Sequence, residues 1–391
     1  MAKVVLNEDI LQAAVAGGSF YGGGGGGSPA LGLRLGRLAL GLESEKPLHR
    51  AGASGAEAPS PGASGRPGRP WMISLDEVPD DAILLTVSAV GSPAGKGHHA
   101  GPEEYARAVD LFCRQTGIKV AGLITNECGG LATVNGWIQS AATGLPIVDA
   151  PCNGRAHPTG TMGSMGLHLD PHYESLQTVV GGSREDGTYL EVLIRGNLEF
   201  AGNVVRQAAA QAGGLVAVAR NPVTAAYARD YGAIGAVAKC VEVGREMISA
   251  PSAEARIAAT ARASGGTVAV RGVVAKKELV SAGGFDTGTL VVKDEDSGEN
   301  YEITFWNEYI TLERLGAAES RLATFPDLIA TIDAESGYPV SSADVKEGQR
   351  VAVVTVPASM LLLGAGVKDP GLYAAVERTV GKEVIKYAFG S

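Results

Sequence analysis

Between Trp71 and Ala150 the chain alternates short apolar runs with amphipathic stretches, and this alternation limits the available folds more than any other feature. "WMISL", "AILLTVSAV", "IKVAGLIT" and "LPIVDA" read as strands, and "PEEYARAVDLFCRQTG" and "LATVNGWIQSAATG" as helices. Tyr105, Val109 and Phe112 recur at helical spacing, so one face of the first of these helices is apolar. Strands joined through helices run parallel with right-handed crossovers, which predicts an α/β fold. "TYLEVLIRG", "NLEFAGNVVRQAAAQAG", "GLVAVAR" and "PVTAAYARDYGAIGAVAKCVEVGREM" continue as strand, helix, strand and helix. Beyond Ser264 the character changes to short alternating strands separated by Gly, Asp and Asn turns, such as "GTLVVKD", "YEITFWNEYITLE" and "RVAVVTVP". The expected organisation is an N-terminal parallel-sheet α/β domain over 1–175 and a C-terminal domain over 176–391. The latter is β-rich across 264–362 and closes with a helix at 370–388.

Ahead of Trp71, "LNEDILQAAVAGG" reads as a helix capped by Asn7 and ended by Gly17, and Ser28-Pro29 opens a second, "PALGLRLGRLAL". Six consecutive glycines, Gly22 to Gly27, join the two. The segment that follows, 43–70, is rich in Ala, Gly, Ser and Pro, and reads as a low-complexity insertion. The glycine run lacks that character. It reads as a backbone loop that either presents N–H groups to an anion or lets neighbouring structure pass closely.

A net charge of −9 argues against a nucleic-acid or anionic-membrane partner. Four dispersed cysteines make neither a zinc ribbon nor a disulfide scaffold. Glu8 and Asp9 sit where a signal peptide needs basic or apolar residues, and no apolar run reaches membrane-spanning length. The expectation is a cytoplasmic homo-oligomer acting on a small molecule. "GSPAGKGH" fails the Walker spacing, and the glycine run follows a helix where a dinucleotide motif follows a strand, so no nucleotide is expected.

In open parallel sheets, ligands bind beyond the carboxyl ends of the strands. Three successive strand ends here carry glycine-rich polar loops: "SAVGSPAGKGHHAGP", "TNECGG" and "DAPCNGRAHP". Glu127 and Asp149 are candidates for a general base or metal ligand, with helix capping as the competing role for Glu127. Arg155 suits a bidentate grip on a carboxylate, or an internal ion pair with Asp149. Cys152 and Cys128 each flank an acid, with His157 as a partner that would make a thiol nucleophilic; burial as small packing residues is the commoner fate. His157, His168 and His172 lie close to Asp170 in sequence and suggest a divalent-metal site of zinc or iron type, with surface or capping roles as the alternative. Gly23, Gly24, Gly25, Gly26, Gly129, Gly130 and Asn153 are candidates for substrate contact. In the β-rich part, Asn307 and Glu308 of "FWNEYITLE" are placed to approach the site across a domain interface.

The ordered set "GGGGSP", "SAVGSPAGKG", "NECGG", "GLPIVDAPCNGRAHP" and "FWNEYITL" resembles the S-methyl thiohydantoin desulfurase-like family, modules of which occur fused to hydantoinase/oxoprolinase-type proteins. The resemblance spans nearly the whole chain except the insertion. It implies an N-terminal α/β domain, a β-rich C-terminal domain, and turnover of a hydantoin or thiohydantoin ring by hydrolysis or desulfurisation. The alternative it implies is a non-catalytic accessory subunit of a hydantoinase-type partner. The matching positions are Gly23 to Gly27, Glu127, Gly129, Gly130, Asp149, Gly154, Arg155 and Pro158. Pro151, His157 and Thr159 depart from the pattern at the site the resemblance implies.

Overall fold

The computed structural model describes residues 3–43, 68–91, 100–282, 284–317 and 320–390. Nearly all of the insertion expected at 43–70, and the 92–99 part of the first strand-end loop, lie outside the described residues.

After a short strand, Val4–Val5 (β1), comes Glu8–Tyr21 (α1). Asn7 caps α1 as expected: its Oδ1 accepts the Ile10 N–H at 2.9 Å. Gly17 does not end the helix, which runs on to Tyr21. Gly17 instead marks a close helix crossing, because a Cβ there would stand 1.9 Å from the Cys240 carbonyl oxygen of a later helix. Ser28 caps Pro29–Leu40 (α2), its Oγ accepting the Leu31 N–H at 3.4 Å.

The α/β part follows as Trp71–Ile73 (β2), Ile83–Gly91 (β3), Pro102–Thr116 (α3), Val120–Thr125 (β4), Trp137–Thr143 (α4) and Ile147–Val148 (β5). It continues through Ser175–Gly181 (β6), Leu190–Gly196 (β7), Leu198–Gln211 (α5) and Leu215–Thr224 (β8). These strands form one sheet in the order β1-β2-β5-β4-β3-β8-β6-β7. The centre β2-β5-β4-β3 is parallel, as the strand–helix alternation requires, with Leu85 opposite Leu123 and Met72 opposite Ile147. The flanks are antiparallel. Tyr105, Val109 and Phe112 of α3 are buried against this sheet. The sheet runs past residue 175 and takes in strands as far as Thr224.

Three helices lead to the second sheet: Ala225–Tyr231 (α6), Ala236–Ser249 (α7) and Ala253–Ser264 (α8). The stretch read as one helix is thus two, broken where Gly235 takes φ +81°. The second sheet comprises Thr267–Ala282 (β9), Phe285–Asp294 (β10), Asn300–Trp306 (β11), Glu308–Arg314 (β12), Arg321–Thr324 (β13), Leu328–Asp333 (β14), Pro339–Val340 (β15) and Arg350–Val356 (β16). It is antiparallel throughout, in the order β13-β12-β11-β10-β9-β16-β14-β15. The helix expected at 370–388 is two short ones, Tyr373–Val380 (α9) and Ile385–Phe389 (α10), separated by Gly381 at φ +67°.

One core cluster joins the two halves. Phe20 and Tyr21 of α1 and Cys240 and Val243 of α7 pack with Leu328, Ala330 and Val354 of the second sheet. Among the described residues no helix is long and apolar enough to cross a membrane.

Candidate functional site

A cavity of 530 Å³ opens beyond the carboxyl ends of β3 and β4 and extends to the second sheet. β4 ends at Thr125 and delivers Asn126 and Glu127 into it. The loop after β5 brings His157 alongside. Arg206 of α5 and Arg220 of β8 reach it from the antiparallel flank, and the β11–β12 turn contributes Trp306, Asn307 and Glu308.

Four of these side chains fix one another's protonation. Arg220 Nη2 donates to Asn126 Oδ1 at 2.8 Å, which leaves the Asn126 amide nitrogen facing His157 Nε2 at 3.3 Å. His157 Nδ1 lies 2.8 Å from the Thr159 carbonyl oxygen, which can only accept. The ring proton therefore sits on Nδ1, and Nε2 is the bare, accepting nitrogen. Burial and the charge of Arg220 push His157 down to about 3, so the imidazole is neutral. Glu127 Oε2 stands 3.2 Å from that bare nitrogen and also accepts the His157 backbone N–H at 3.2 Å. A carboxylate facing a lone pair is repelled, whereas a carboxylic acid can donate to it. Burial, reinforced by the nearby charge of Glu308, raises Glu127 from 4.5 to about 8. With the ring neutral, the contact is not an ion pair, and a neutral Glu127 is favoured beside the Nε2 lone pair. Gly163 leaves room for it: a Cβ there would lie 2.5 Å from His157 Nε2.

Glu308 enters from the other sheet. It begins β12 directly after Asn307, whose φ of +56° makes the turn and which asparagine tolerates better than most residues. The Asn307 side chain is spent on the turn, its Oδ1 accepting the Asp286 N–H at 2.8 Å. Glu308 is 3 % exposed, accepts the Gly26 N–H, and has an Oε2 with no hydrogen-bond partner. Burial raises it to about 7, against the lowering pull of Arg155. The site therefore holds two neighbouring carboxyls that both titrate near neutrality, and their protons leave in two steps belonging to the pair.

The glycine run explains how they come so close. A Cβ on Gly25 would stand 2.0 Å from Glu308 Oε1, and one on Gly26 would stand 2.5 Å from the Gly129 Cα. Tyr309 N–H donates to the Gly23 carbonyl and Ser342 N–H to that of Gly24. Of the glycines expected to contact substrate, only Gly26 lines the cavity, followed by Gly27. Gly24 and Gly25 instead pass against β12, Gly23 against Arg155 and β14, and Gly129 and Gly130 of the "NECGG" loop against Gly26, Gly27 and Pro29.

The other candidate residues have different partners. Asp149 accepts from the Val237 and Ala238 N–H groups at 2.8 and 3.0 Å, so it caps α7. Burial raises it to about 6. Arg155 is fully buried behind the cavity wall. It donates to the carbonyls of Ala156, Pro326 and Asp327 and stacks over Phe325, which ties the "DAPCNGRAHP" loop to the second sheet. Asn153 bridges the Arg155 carbonyl and the Gly364 N–H. Cys152 is buried beside Thr86 Oγ1 at 3.3 Å, and burial pushes its thiol up to about 11, the opposite of a nucleophile's needs. The neighbouring Cys240 thiol, with burial, raises Cys128 as well. The three histidines do not converge: His168 bonds Asp369 at 2.7 Å and Ser164 at 3.1 Å, and His172 is exposed. Among the described residues no group of three or more His, Cys, Asp or Glu side chains is placed to hold a metal.

Arg206 and Arg220 belong to no motif that would single them out in the sequence. Arg220 had one usable signal, a charge that closes the otherwise apolar run "LVAVA" and is 6 % exposed in the fold.

Comparison with known proteins agrees with this architecture. The model of the S-Me-THD-like N-terminal domain matches residues 64–186, and that of the S-Me-THD-like C-terminal domain matches residues 196–366. No curated protein matches the chain. A crystal structure of a protein from Chromobacterium violaceum is 19 % identical, covers 97 % of each chain and superposes with a TM-score of 0.69, a likeness of fold. The chain belongs to the S-Me-THD-like family.

Proposed function

We propose that the chain is an enzyme that hydrolyses a hydantoin- or thiohydantoin-like ring, with loss of sulfur where the ring carries it. The observation that supports this most is the pair Glu127 and Glu308, two carboxyls in one cavity that titrate around neutral pH. Such a pair, holding one proton, supplies a base and an acid at once. Family membership supports the choice of ring.

The roles follow from the surroundings. Glu308 loses its proton first and has an unpartnered oxygen, so it is the base that takes a proton from water. Water attacks the ring carbon that bears sulfur. Glu127 keeps its proton and gives it to the departing sulfur as the carbon–sulfur bond breaks. For an S-methyl ring, one water is consumed and methanethiol leaves, with oxygen in its place. Arg220, held by Asn126 at the cavity wall, supplies positive potential for the charge that develops at the attacked carbon. Asp149, Arg155 and Cys152 act as structural supports in this reading.

The test is turnover of hydantoin, 2-thiohydantoin and S-methyl-2-thiohydantoin by the purified full chain, followed by ultraviolet absorbance and thiol release. Expected are thiol release by the wild type and at least a hundredfold loss in Glu127→Gln and in Glu308→Gln. Unchanged turnover in both variants would refute the assignment. Ring binding without turnover by the wild type would favour an accessory role.

A further inference from the structure

We infer that the substrate ring carries a carboxylate arm, and that Arg206 is the residue that holds it. This rests on the ring-hydrolase reading and names the substrate class that reading leaves open.

The argument begins with charge. Among the described residues, six ionisable side chains other than the neutral His157 line the cavity: Glu127, Glu199, Arg206, Arg220, Glu308 and Arg378. Glu199 and Arg378 are exposed and offset one another in sign. That leaves two guanidiniums facing two carboxyls, one of which holds a proton near neutral pH. Arg155, buried just behind the wall, faces the same two carboxyls, so among the described residues the guanidiniums outnumber the carboxyls. A partly buried cation that no carboxylate hydrogen-bonds is costly, and an anionic ligand corrects it.

Arg206 is the guanidinium left over. Arg220 is engaged with Asn126. Among the described residues no carboxylate hydrogen-bonds Arg206, which donates instead to neutral carbonyls, Gly284 at 3.3 Å and Pro158 at 3.2 Å, with Glu308 and Glu127 acting only at longer range. Those two bonds leave part of its donor fork free, and a carboxylate fits such a fork. The fork is also fixed in place, because the guanidinium lies 3.7 Å over the Phe285 ring. Phe285 and Trp306, with centroids 5.1 Å apart, form an aromatic wall beside it against which a flat ring can rest.

The experiment compares hydantoin-5-acetic acid with its neutral isostere, hydantoin-5-acetamide, by calorimetric titration of the full chain at pH 7. The wild type should bind the acid at least tenfold more tightly than the amide, and Arg206→Gln should reduce that ratio below twofold. Arg206→Lys, which keeps the charge but not the fork, should give an intermediate ratio. Circular dichroism establishes that the variants are folded, and the wild-type comparison needs no variant. Equal affinity for acid and amide would overturn this inference and leave the ring reading standing. A preference for the acid that survives in folded Arg206→Gln would overturn the assignment to Arg206. Failure to bind or turn over any hydantoin would overturn both readings together.

Discussion

Replacing Glu127 by Gln should stabilise the protein, and the gain should grow with pH. In the unfolded chain Glu127 loses its proton near 4.5, but in the folded protein not until about 8. Between those values the folded state binds more protons than the unfolded state, so the carboxyl makes folding less favourable as pH rises. At about 1.4 kcal/mol for each tenfold difference in proton affinity, the upper bound of the penalty is about 4–5 kcal/mol. Gln has no proton to lose and escapes it. The substitution has a cost of its own, since an amide nitrogen at the Oε2 position cannot accept the His157 N–H. That loss is about 1 kcal/mol and does not depend on pH. The informative quantity is therefore the change in the stability difference between variant and wild type across pH. Urea unfolding followed by circular dichroism at about pH 5 and pH 8.5 should show the difference moving in favour of Glu127→Gln by about 2 kcal/mol or more. Relief of Glu308 from its neighbour's charge acts in the same direction, because each raises the other's cost of ionisation. A difference that stays constant, or that moves toward the wild type as pH rises, would refute the protonated Glu127 and the hydrogen-bond pattern from which it follows.

Three further outcomes are expected. The profile of kcat/KM against pH should be a narrow bell, rising through about 7 as Glu308 ionises and falling through about 8 as Glu127 does; a plateau from pH 6 to pH 10 would exclude the pair as base and acid. Gly25→Ala should fold and lose activity, because its Cβ would collide with the Glu308 carboxyl, whereas Gly26→Ala should lose at least about 2 kcal/mol of stability, because its Cβ meets the Gly129 backbone and its φ is +75°; thermal melts and thiol release separate the two. Asp149→Asn should lose about 1 kcal/mol of stability through the weakened cap of α7 and keep turnover within a few-fold of wild type, as measured by the same two assays.

The parts of this protein that the sequence determined by itself are those set by local periodicity. Alternating apolar runs and an amphipathic α3 were enough for the parallel centre of the first sheet, since strands joined by helices have few other ways to pair. The position of Glu127 at a strand end followed from the same reasoning, and its order with "GLPIVDAPCNGRAHP" and "FWNEYITL" carried the family. Tertiary structure decided which polar groups face the cavity. Asp149 and Glu127 occupy equivalent strand ends, but the N-terminus of α7 packs over one and leaves the other free, and nothing near either residue in sequence encodes where that helix lies. The antiparallel flank was hidden as well, because β8 lies next to β3 although more than a hundred residues separate them, and only that pairing brings Arg220 to Asn126. The glycine run shows the division most clearly. Its sequence demanded a backbone without side chains; only the approach of Gly129 on one side and Glu308 on the other shows why, since a Cβ clashes only with what the fold has placed within reach.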